Sequence, residues 1–258
     1  MHAYVASASQ ALLALDFDGS LAPIVDDPAA ARILPAARAA LSRLVPLLGR
    51  VAVVSGRPAA FLAANVGIDG VTYAGIYGLE RWEGAVGDGR VVPDSSIAAW
   101  APVIKQVAAE ADSALPGLLV ERKGAVAVTL HWRTAPERGD AAAAWAADAA
   151  DRCGLHLLPG RMAAELRPPV PVDKGTTVAA LAQGMAAAAF AGDDAGDLPA
   201  FAALRDLVAN GGLTTAVSIG VQSAESPPEI ADLDVVVDGP AGLAALLTQL
   251  ADAVSTRR

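Results

Sequence analysis

The sequence predicts an α/β fold with a doubly wound parallel sheet, interrupted by an inserted α+β module. In the first and last thirds of the chain, short continuous apolar runs alternate with helical segments, as they do when strands are covered by helices on both faces. In the middle third this alternation is replaced by the order helix, hairpin, helix, hairpin. The pattern there predicts helices at 96–115 and 136–152, a first hairpin with strands at 118–122 and 125–132, and a second hairpin with strands at 155–158 and 162–167. The core sheet is therefore expected to be Rossmann-like and to be formed by both ends of the chain.

The first third predicts a strand at residues 11–15, where an apolar run ends at Asp16. A helix over residues 35–48 begins with proline and carries leucines on one face, and a strand at 51–54 follows it. The remaining elements are a helix at 58–65, a strand at 70–74 and a glycine-rich hairpin at 78–92.

The middle and last thirds differ in pattern, and a stiff segment, Pro168-Pro169-Val170-Pro171, lies between them. Proline fixes its own φ and biases the preceding residue away from helix, so this segment predicts an extended connector. We therefore expect a discontinuous core domain (residues 1–94 and 172–258) around an α+β cap domain (residues 95–171). After the connector, the pattern predicts helices at 174–183, 198–207 and 239–254 and strands at 187–191, 215–219 and 234–237.

Composition excludes several classes of function. A 258-residue chain with 54% hydrophobic residues has ample material for a core, and its net charge of −9 argues against a nucleic-acid partner. Its single cysteine, Cys153, cannot form an internal disulfide, and no apolar run approaches the ~18 to 20 residues of a membrane span. The first ten residues lack the pattern of a secretory signal, so a cytoplasmic location is expected. The sequence does not fix an oligomeric state and is compatible with a monomer.

Two carboxylates follow the first predicted strand in the run Asp16-Phe17-Asp18-Gly19-Ser20. At spacing two they point the same way if the chain stays extended, and Gly19 lets the backbone approach a phosphate closely. One acid could then attack while the other exchanges protons with a leaving group. Taken alone, the pattern is weak, and most chance occurrences of it are polar turns after a strand.

Two further segments could bind phosphate. In Ser55-Gly56-Arg57, a hydroxyl and exposed amides near a helix N-terminus could donate hydrogen bonds to a phosphoryl oxygen. Ser55 could equally be the N-cap of the helix that follows. Lys174 begins a predicted helix, against the usual preference of cations for helix C-termini. Its charge could neutralise a phosphate, or it could be a solvated surface lysine.

Three carboxylates lie within five residues in Asp193, Asp194 and Asp197, directly after the strand predicted at 187–191. Such a group repels itself unless a cation compensates. Magnesium favours oxygen ligands, so the sequence predicts a Mg²⁺ site here.

These segments resemble the signature of the haloacid-dehalogenase-type phosphatases, in which DxDG[ST], a Ser or Thr, a Lys and an acidic loop follow in that order. Within that superfamily, the chain is similar to the trehalose-6-phosphate phosphatases. The similarity extends through Glu121-Arg122-Lys123-Gly124, His131-Trp132-Arg133 and Glu165-Leu166-Arg167-Pro168. It implies the haloacid-dehalogenase fold, with the insert acting as a lid over a sugar phosphate.

The resemblance also implies roles for individual residues. Asp16 would be the nucleophile, Asp18 the general acid and base, and Lys174 a catalytic and phosphate-binding residue. Phosphate would further contact Gly19, Ser55 and Gly56. The implied metal ligands are Asp16, Asp18, Asp193, Asp194 and Asp197. The implied substrate-binding residues are Arg57, Tyr77, Glu121, Lys123, His131, Arg133, Glu165 and Arg167.

Tyr77 stands where this family usually has histidine, which affects one expected sugar contact. The resemblance implies a magnesium-dependent hydrolysis of trehalose 6-phosphate in trehalose biosynthesis, through an aspartyl-phosphate intermediate. Two alternatives stay open at this stage: a phosphatase of the same superfamily for another sugar phosphate, such as a glucosylglycerate or sucrose phosphate, and a catalytically silent domain that binds a sugar phosphate and regulates a partner.

Overall fold

The computed structural model describes residues 2–25, 27–124, 126–160, 162–224 and 226–257. The chain divides into two compact units. The first ends at Val92 and resumes at Val172, and the second runs from Pro93 to Pro171. The sequence-based domain assignment, with its insert at 95–171, remains a prediction, and its outermost residues, 1 and 258, lie outside the described part.

The first unit is built on a sheet with the strand order β12-β11-β10-β1-β2-β3-β4-β5. The strands from β12 to β3 are mutually parallel, and β4 pairs antiparallel with β3. Their bounds are β1 Ala11–Leu15, β2 Arg50–Val54, β3 Val71–Gly75, β4 Glu80–Glu83, β5 Arg90–Pro93, β10 Ala187–Gly192, β11 Thr215–Gln222 and β12 Val235–Asp238.

Helices cover both faces of this sheet. Residues of β1 alternate between the two cores: Leu13 and Leu15 pack on one side, whereas Leu12 and Ala14 pack on the other. Burial on both faces explains why the strand is apolar throughout. The helices of this unit are α1 His2–Ala6, α2 Pro35–Leu44, α3 Ala59–Val66, α6 Lys174–Leu181, α7 Leu198–Ala209 and α8 Gly239–Ser255.

The strand order reverses between β1 and β10. From β1 the chain proceeds outward through β2 and β3, and from β10 it proceeds in the other direction through β11 and β12. Ligands of open parallel sheets bind beyond the carboxyl ends of the strands at such a switch point. The loops after β1 and β10 therefore lie where such a sheet binds its ligand.

The second unit contains a four-stranded antiparallel sheet, here named the cap sheet, with the order β6-β7-β9-β8. One face of this sheet is apolar and packs against α4 and α5, with Val128, Leu130 and Leu166 in the core. Its elements are α4 Ala101–Ala114, β6 Leu119–Lys123, β7 Ala127–His131, α5 Gly139–Cys153, β8 His156–Gly160 and β9 Ala163–Arg167. The predicted order of helix, hairpin, helix, hairpin is confirmed.

Some predicted helix bounds are wrong. The helix predicted over residues 35–48 ends at Leu44, because Pro46 lacks the N–H that a continuing helix needs. The helix predicted from residue 96 begins instead at Ala101, after a short 3₁₀ turn. The second strand of the first insert hairpin was predicted to begin at residue 125, which lies outside the described residues. None of the described helices combines the length and apolar character needed to cross a membrane.

Candidate active site

The loop after β1 places Asp16 at the switch point of the sheet. Its backbone N–H donates to the carbonyl of Ala191 on β10 at 2.9 Å, which extends the β1–β10 pairing to Asp16. The residue is buried, only 3% exposed. Gly19 has a φ of +77°, and a Cβ at this position would lie 2.1 Å from a carboxylate oxygen of Asp193. Glycine is therefore required here by both the conformation and the contact with the loop after β10.

Lys174 lies between two of the predicted acids. Its Nζ is 2.8 Å from Asp16 Oδ1 and 2.6 Å from Asp197 Oδ1, and all three side chains are buried. Asp173 holds the start of α6 through a capping box with Thr176, so the backbone that carries the lysine is fixed. The interpretation of Lys174 as a solvated surface lysine is wrong.

The acidic loop after β10 is organised around Asp197. One of its carboxylate oxygens accepts from Lys174, and the other accepts from the backbone N–H groups of Asp193 and Asp194 at 2.8 and 3.1 Å. Ser20 donates its hydroxyl hydrogen to Asp193 Oδ1 at 2.9 Å, which joins this loop to the first motif. The two acidic motifs thus form one hydrogen-bonded structure.

Burial dominates the electrostatics of these acids. It raises the pKa of Asp16 to about 7, although the Lys174 ammonium opposes the rise. It raises the pKa of Asp193 to about 6 and that of Asp197 to about 8, and neighbouring carboxylates add to both increases. Burial lowers the pKa of Lys174, but Asp16 and Asp197 outweigh it and the net change is a rise. The carboxylates are therefore held close together at an electrostatic cost.

The acids of this cluster fit a hard cation. Oxygen atoms of Asp16, Asp193 and Asp197 lie within 4.8 Å of one another, and all three residues are buried. Among the described side chains, Lys174 is the one cation that pairs with them, so negative charge remains for a metal ion to neutralise. The side chains of Asp18 and Asp194 are not part of this group, and their assignment as metal ligands stays a prediction.

Asp18 is paired with Arg57. The guanidinium donates from Nη2 to Asp18 Oδ1 at 2.7 Å and from Nε to Asp18 Oδ2 at 2.8 Å. This is a bidentate ion pair, in which a planar fork of donors matches both oxygens of a carboxylate. Arg57 was predicted to bind substrate, which stays a prediction. In the structure its guanidinium contacts the predicted general acid.

The loop after β2 is fixed by the loop after β3. Ser55 is buried, its carbonyl accepts from Tyr77 N–H at 2.9 Å, and its hydroxyl accepts from Arg57 N–H at 3.2 Å. Tyr77 has a φ of +60°, and its carbonyl accepts from Thr177 of α6 at 2.5 Å. A Cβ on Gly56 would lie 2.8 Å from the Tyr77 hydroxyl. The phosphate-binding candidates and the helix of Lys174 are therefore joined by hydrogen bonds.

The second unit presents a polar face on its sheet, opposite the face that packs on α4 and α5. Strand register places Glu121 opposite Thr129, and Thr129 opposite Glu165. Lys123 Nζ donates to Glu165 at 2.5 Å, and Glu121 lies 2.8 Å from a ring nitrogen of His131. Alternation along the strands brings five of the six predicted cap residues onto this face. They are Glu121, Lys123, His131, Glu165 and Arg167.

Arg133 and Arg167 occupy different environments. Arg133 is exposed and follows the end of β7. The Nε of Arg167 is buried and, among the residues that the structure describes, lacks a hydrogen-bond partner. A buried donor without a partner is costly, so this atom calls for an acceptor from a ligand or a water molecule.

Sequence reasoning missed four residues near these candidates. Thr129 and His156 lie on the polar face of the cap sheet, and the period-two alternation with His131 could have revealed Thr129. Phe61 lies under Arg57, four positions along the chain. Glu80 is buried and accepts from the N–H of Ala59 at 2.6 Å, which no local signal indicates.

Comparison with known proteins places this site in a family. The family model described as trehalose-phosphatase matches residues 14–234, which include every predicted site residue. The chain belongs to the trehalose-phosphatase family. The trehalose-phosphate phosphatase of Mycobacterium avium is 36% identical over 248 residues, which cover 92% of this chain and 61% of that protein. The Mycobacterium tuberculosis enzyme of the same name is 40% identical over 175 residues, covering 66% of this chain and 44% of the relative. This member of the family thus spans less than two thirds of the length of these relatives.

Solved structures confirm the predicted fold. A trehalose-6-phosphate phosphatase related protein superposes with a TM-score of 0.73 at 22% identity, covering 96% of this chain and all of that one. The Aspergillus fumigatus trehalose-6-phosphate phosphatase gives 0.65 at 24% identity, covering 97% and 96%. A haloacid dehalogenase-like hydrolase from Bacteroides thetaiotaomicron gives 0.62 at 15% identity over 93% of this chain and 99% of that chain. This member of the trehalose-phosphatase family therefore has the haloacid-dehalogenase fold.

Proposed function

We propose that this protein hydrolyses trehalose 6-phosphate to trehalose and phosphate in two steps, with Asp16 as the nucleophile. Membership of the trehalose-phosphatase family and the relatives of that name support the reaction. The observation that carries the assignment of the nucleophile is the position of Asp16, buried at the switch point of the sheet and 2.8 Å from the Lys174 ammonium.

In the first step, a carboxylate oxygen of Asp16 attacks phosphorus, and the bond between phosphorus and the sugar oxygen breaks. Asp18 gives a proton to the departing sugar oxygen. In the second step, Asp18 takes a proton from water, which attacks the aspartyl phosphate and releases inorganic phosphate. Lys174, with Ser55 and the backbone of Gly19 and Gly56, would hold the phosphoryl oxygens.

We assign Mg²⁺ as the cofactor, because the donors are oxygen atoms and the acids are buried and crowded. The carboxylates of Asp16 and Asp193 and the main-chain carbonyl of Asp18 would hold the ion. When bound, it supplies positive charge that reduces the repulsion between the anionic phosphate and the attacking carboxylate. Asp197 accepts hydrogen bonds at both oxygens, which favours a supporting role for it.

The polar face of the cap sheet supports a sugar as the rest of the substrate. Its carboxylates, ammonium and imidazole can exchange hydrogen bonds with several hydroxyl groups, and the unpartnered Nε of Arg167 can donate one more. We therefore assign recognition of the trehalose portion to this face.

The test is phosphate release from a panel of esters. The panel contains the phosphates of trehalose, sucrose, glucosylglycerate and glucose, together with p-nitrophenyl phosphate. We expect the highest kcat/KM for trehalose 6-phosphate and no turnover by the folded Asp16→Asn variant. Faster hydrolysis of another ester would transfer the assignment to that ester. Failure of the wild type on every ester, p-nitrophenyl phosphate included, would instead indicate a silent binding domain.

A further inference from the structure

Arg57 and Phe61 lie next to the proposed general acid, but the mechanism above gives them no step. Asp18 is partly exposed, with 34% of its side chain accessible, so its carboxylate could rotate among several orientations. The two donors of Arg57 hold both of its oxygens at 2.7 and 2.8 Å. A bidentate fork fixes the direction of a carboxylate as well as its charge.

Arg57 is itself held in place by other groups. Its Nη1 donates to the carbonyl of Pro28 at 2.8 Å, and its guanidinium carbon lies 4.8 Å above the centre of the Phe61 ring. Its backbone is also fixed, because its N–H donates to Ser55 Oγ and its carbonyl accepts from Ile76. The arginine therefore has little freedom to leave Asp18 for another partner.

The contacts of Arg57 and Phe61 lead back to the loop that carries Asp18. The Phe61 ring meets the Phe17 ring edge to face, with centroids 5.8 Å apart and planes at 88°. Phe17 is the residue between the two catalytic candidates Asp16 and Asp18. The path thus runs from Asp18 to Arg57 by the ion pair, to Phe61 by the cation–π contact, and back along Phe17 to Asp18.

We propose that Arg57 and Phe61 are positioning residues for the proposed general acid: Arg57 orients the Asp18 carboxylate, and the Phe61 ring, braced by Phe17, holds Arg57 in place. This inference rests on the proposed function. It gives Arg57 a different task from the sugar contact implied by family resemblance, and it gives Phe61, on the first turn of α3, a role through Arg57.

The two roles of Arg57 have different kinetic signatures. A substrate contact affects KM, whereas a misdirected carboxylate affects the chemical step and hence kcat. For Arg57→Lys, which keeps the charge but loses the fork, we expect kcat to fall about 10- to 100-fold and KM to change by less than about threefold. For Arg57→Ala, added guanidinium ion restores part of kcat, and it restores nothing in Asp18→Asn.

The role of Phe61 is tested by a double-mutant cycle. We expect Phe61→Leu to lower kcat about 3- to 10-fold through loss of the cation–π contact. In an Arg57→Ala background the same change has no further effect on kcat, because the two residues act in series. Matched controls are Arg38→Ala, which removes an arginine bound to the carbonyls of Val66 and Gly67, and Phe201→Leu, which removes an edge-to-face pair with Phe190. Both controls should keep kcat within about twofold.

Assays on trehalose 6-phosphate and p-nitrophenyl phosphate separate this proposal from the proposed function. If the wild type hydrolyses only the second ester, the choice of substrate is wrong, but the kcat pattern still tests the positioning role. Urea unfolding of the wild type, the two single variants and the double variant can be measured without turnover. We expect it to show a coupling between Arg57 and Phe61 of about 2- to 5-fold in the unfolding equilibrium constant. An Arg57→Lys variant with raised KM and unchanged kcat, or independent effects of the two residues, would overturn the proposal.

Discussion

Lys174 and Asp16 form a buried ion pair in which the ammonium nitrogen and a carboxylate oxygen are 2.8 Å apart. The lysine comes from the first residue of α6, and the aspartate follows β1. The same ammonium contacts Asp197, so a single cation fixes the nucleophile candidate relative to the acidic loop. The pair links the stability of the site to its proposed chemistry.

Removal of this cation should affect both activity and stability. In Lys174→Met the buried carboxylates lose their partner, and breaking a buried ion pair costs about 3 to 5 kcal/mol of unfolding free energy. Loss of one preorganised charge at a reacting phosphate should lower kcat about 10²- to 10³-fold. Urea unfolding and phosphate release measure the two effects. Lys105→Met, at an exposed position on α4, should change neither.

Magnesium should stabilise the protein through its acidic cluster. An ion that binds only the folded state adds about 2.7 kcal/mol when it is present at 100 times its Kd. We therefore expect Mg²⁺ to raise Tm in the wild type and to have little effect on Asp193→Asn. Asp252→Asn removes an exposed acid that pairs with Arg43, and it should retain the full shift. Equal shifts in both variants would contradict the assignment of the metal site.

Ionisation of Glu80 should make the unfolding free energy depend on pH, separately from the buried acids around Lys174. Burial raises its pKa from the ordinary 4.5, and the hydrogen bond from Ala59 N–H opposes the rise. The folded protein therefore holds this proton more tightly than the unfolded chain, and the wild type loses stability as pH rises from 4.5 through the raised value.

The variant Glu80→Gln removes this titration while its side-chain oxygen can still accept from Ala59. Urea unfolding at about pH 5 and about pH 8 should show the variant gaining stability relative to the wild type at the higher pH. Glu83→Gln, at the exposed end of the same strand, should follow the wild type at both values. A constant difference between Glu80→Gln and wild type would refute the prediction.

The cap sheet allows a test in which two residues lie on opposite faces. Glu165 is on the polar face, where it accepts from Lys123 and Thr129. Glu165→Ala should raise KM for trehalose 6-phosphate about 10- to 100-fold, because the substrate loses a hydrogen bond to a charged group. Hydrolysis of p-nitrophenyl phosphate should be unchanged. Arg122 pairs with Asp112 on the opposite face, so Arg122→Ala should leave both KM values unchanged.

The sequence predicts those features that depend on strand order. Asp16, Ser55 and Asp193 each follow an apolar run that becomes a parallel strand, and the carboxyl ends of such strands meet at one edge of a sheet. The α/β core and the order of elements in the insert could therefore be read from local pattern. The end of α2 was mispredicted although the sequence carries its signal: apolar periodicity continues to residue 48, but Pro46 interrupts the helical hydrogen bonds.

Contacts between distant segments could not be predicted from the sequence. Sequence predicts acids and a lysine, but the two hydrogen bonds that Asp197 accepts from its own loop depend on the path of the backbone. The fork of Arg57 on Asp18 depends on the distance between the loops after β1 and β2. Such relationships arise from tertiary packing and have no period or spacing along the chain.

The discontinuous first unit has a consequence for synthesis in the cell. Strand β1 can pair with β2 early, but its other neighbour, β10, lies beyond the entire inserted unit. At translation rates of about 5 to 20 residues per second, Asp16 is made roughly 10 to 35 s before Asp193. During that interval the nascent chain has an open sheet edge along β1, and for most of it Lys174 has not yet been made. An unpaired strand edge can pair with other chains, so the nascent protein is exposed to aggregation through β1 until β10 is made.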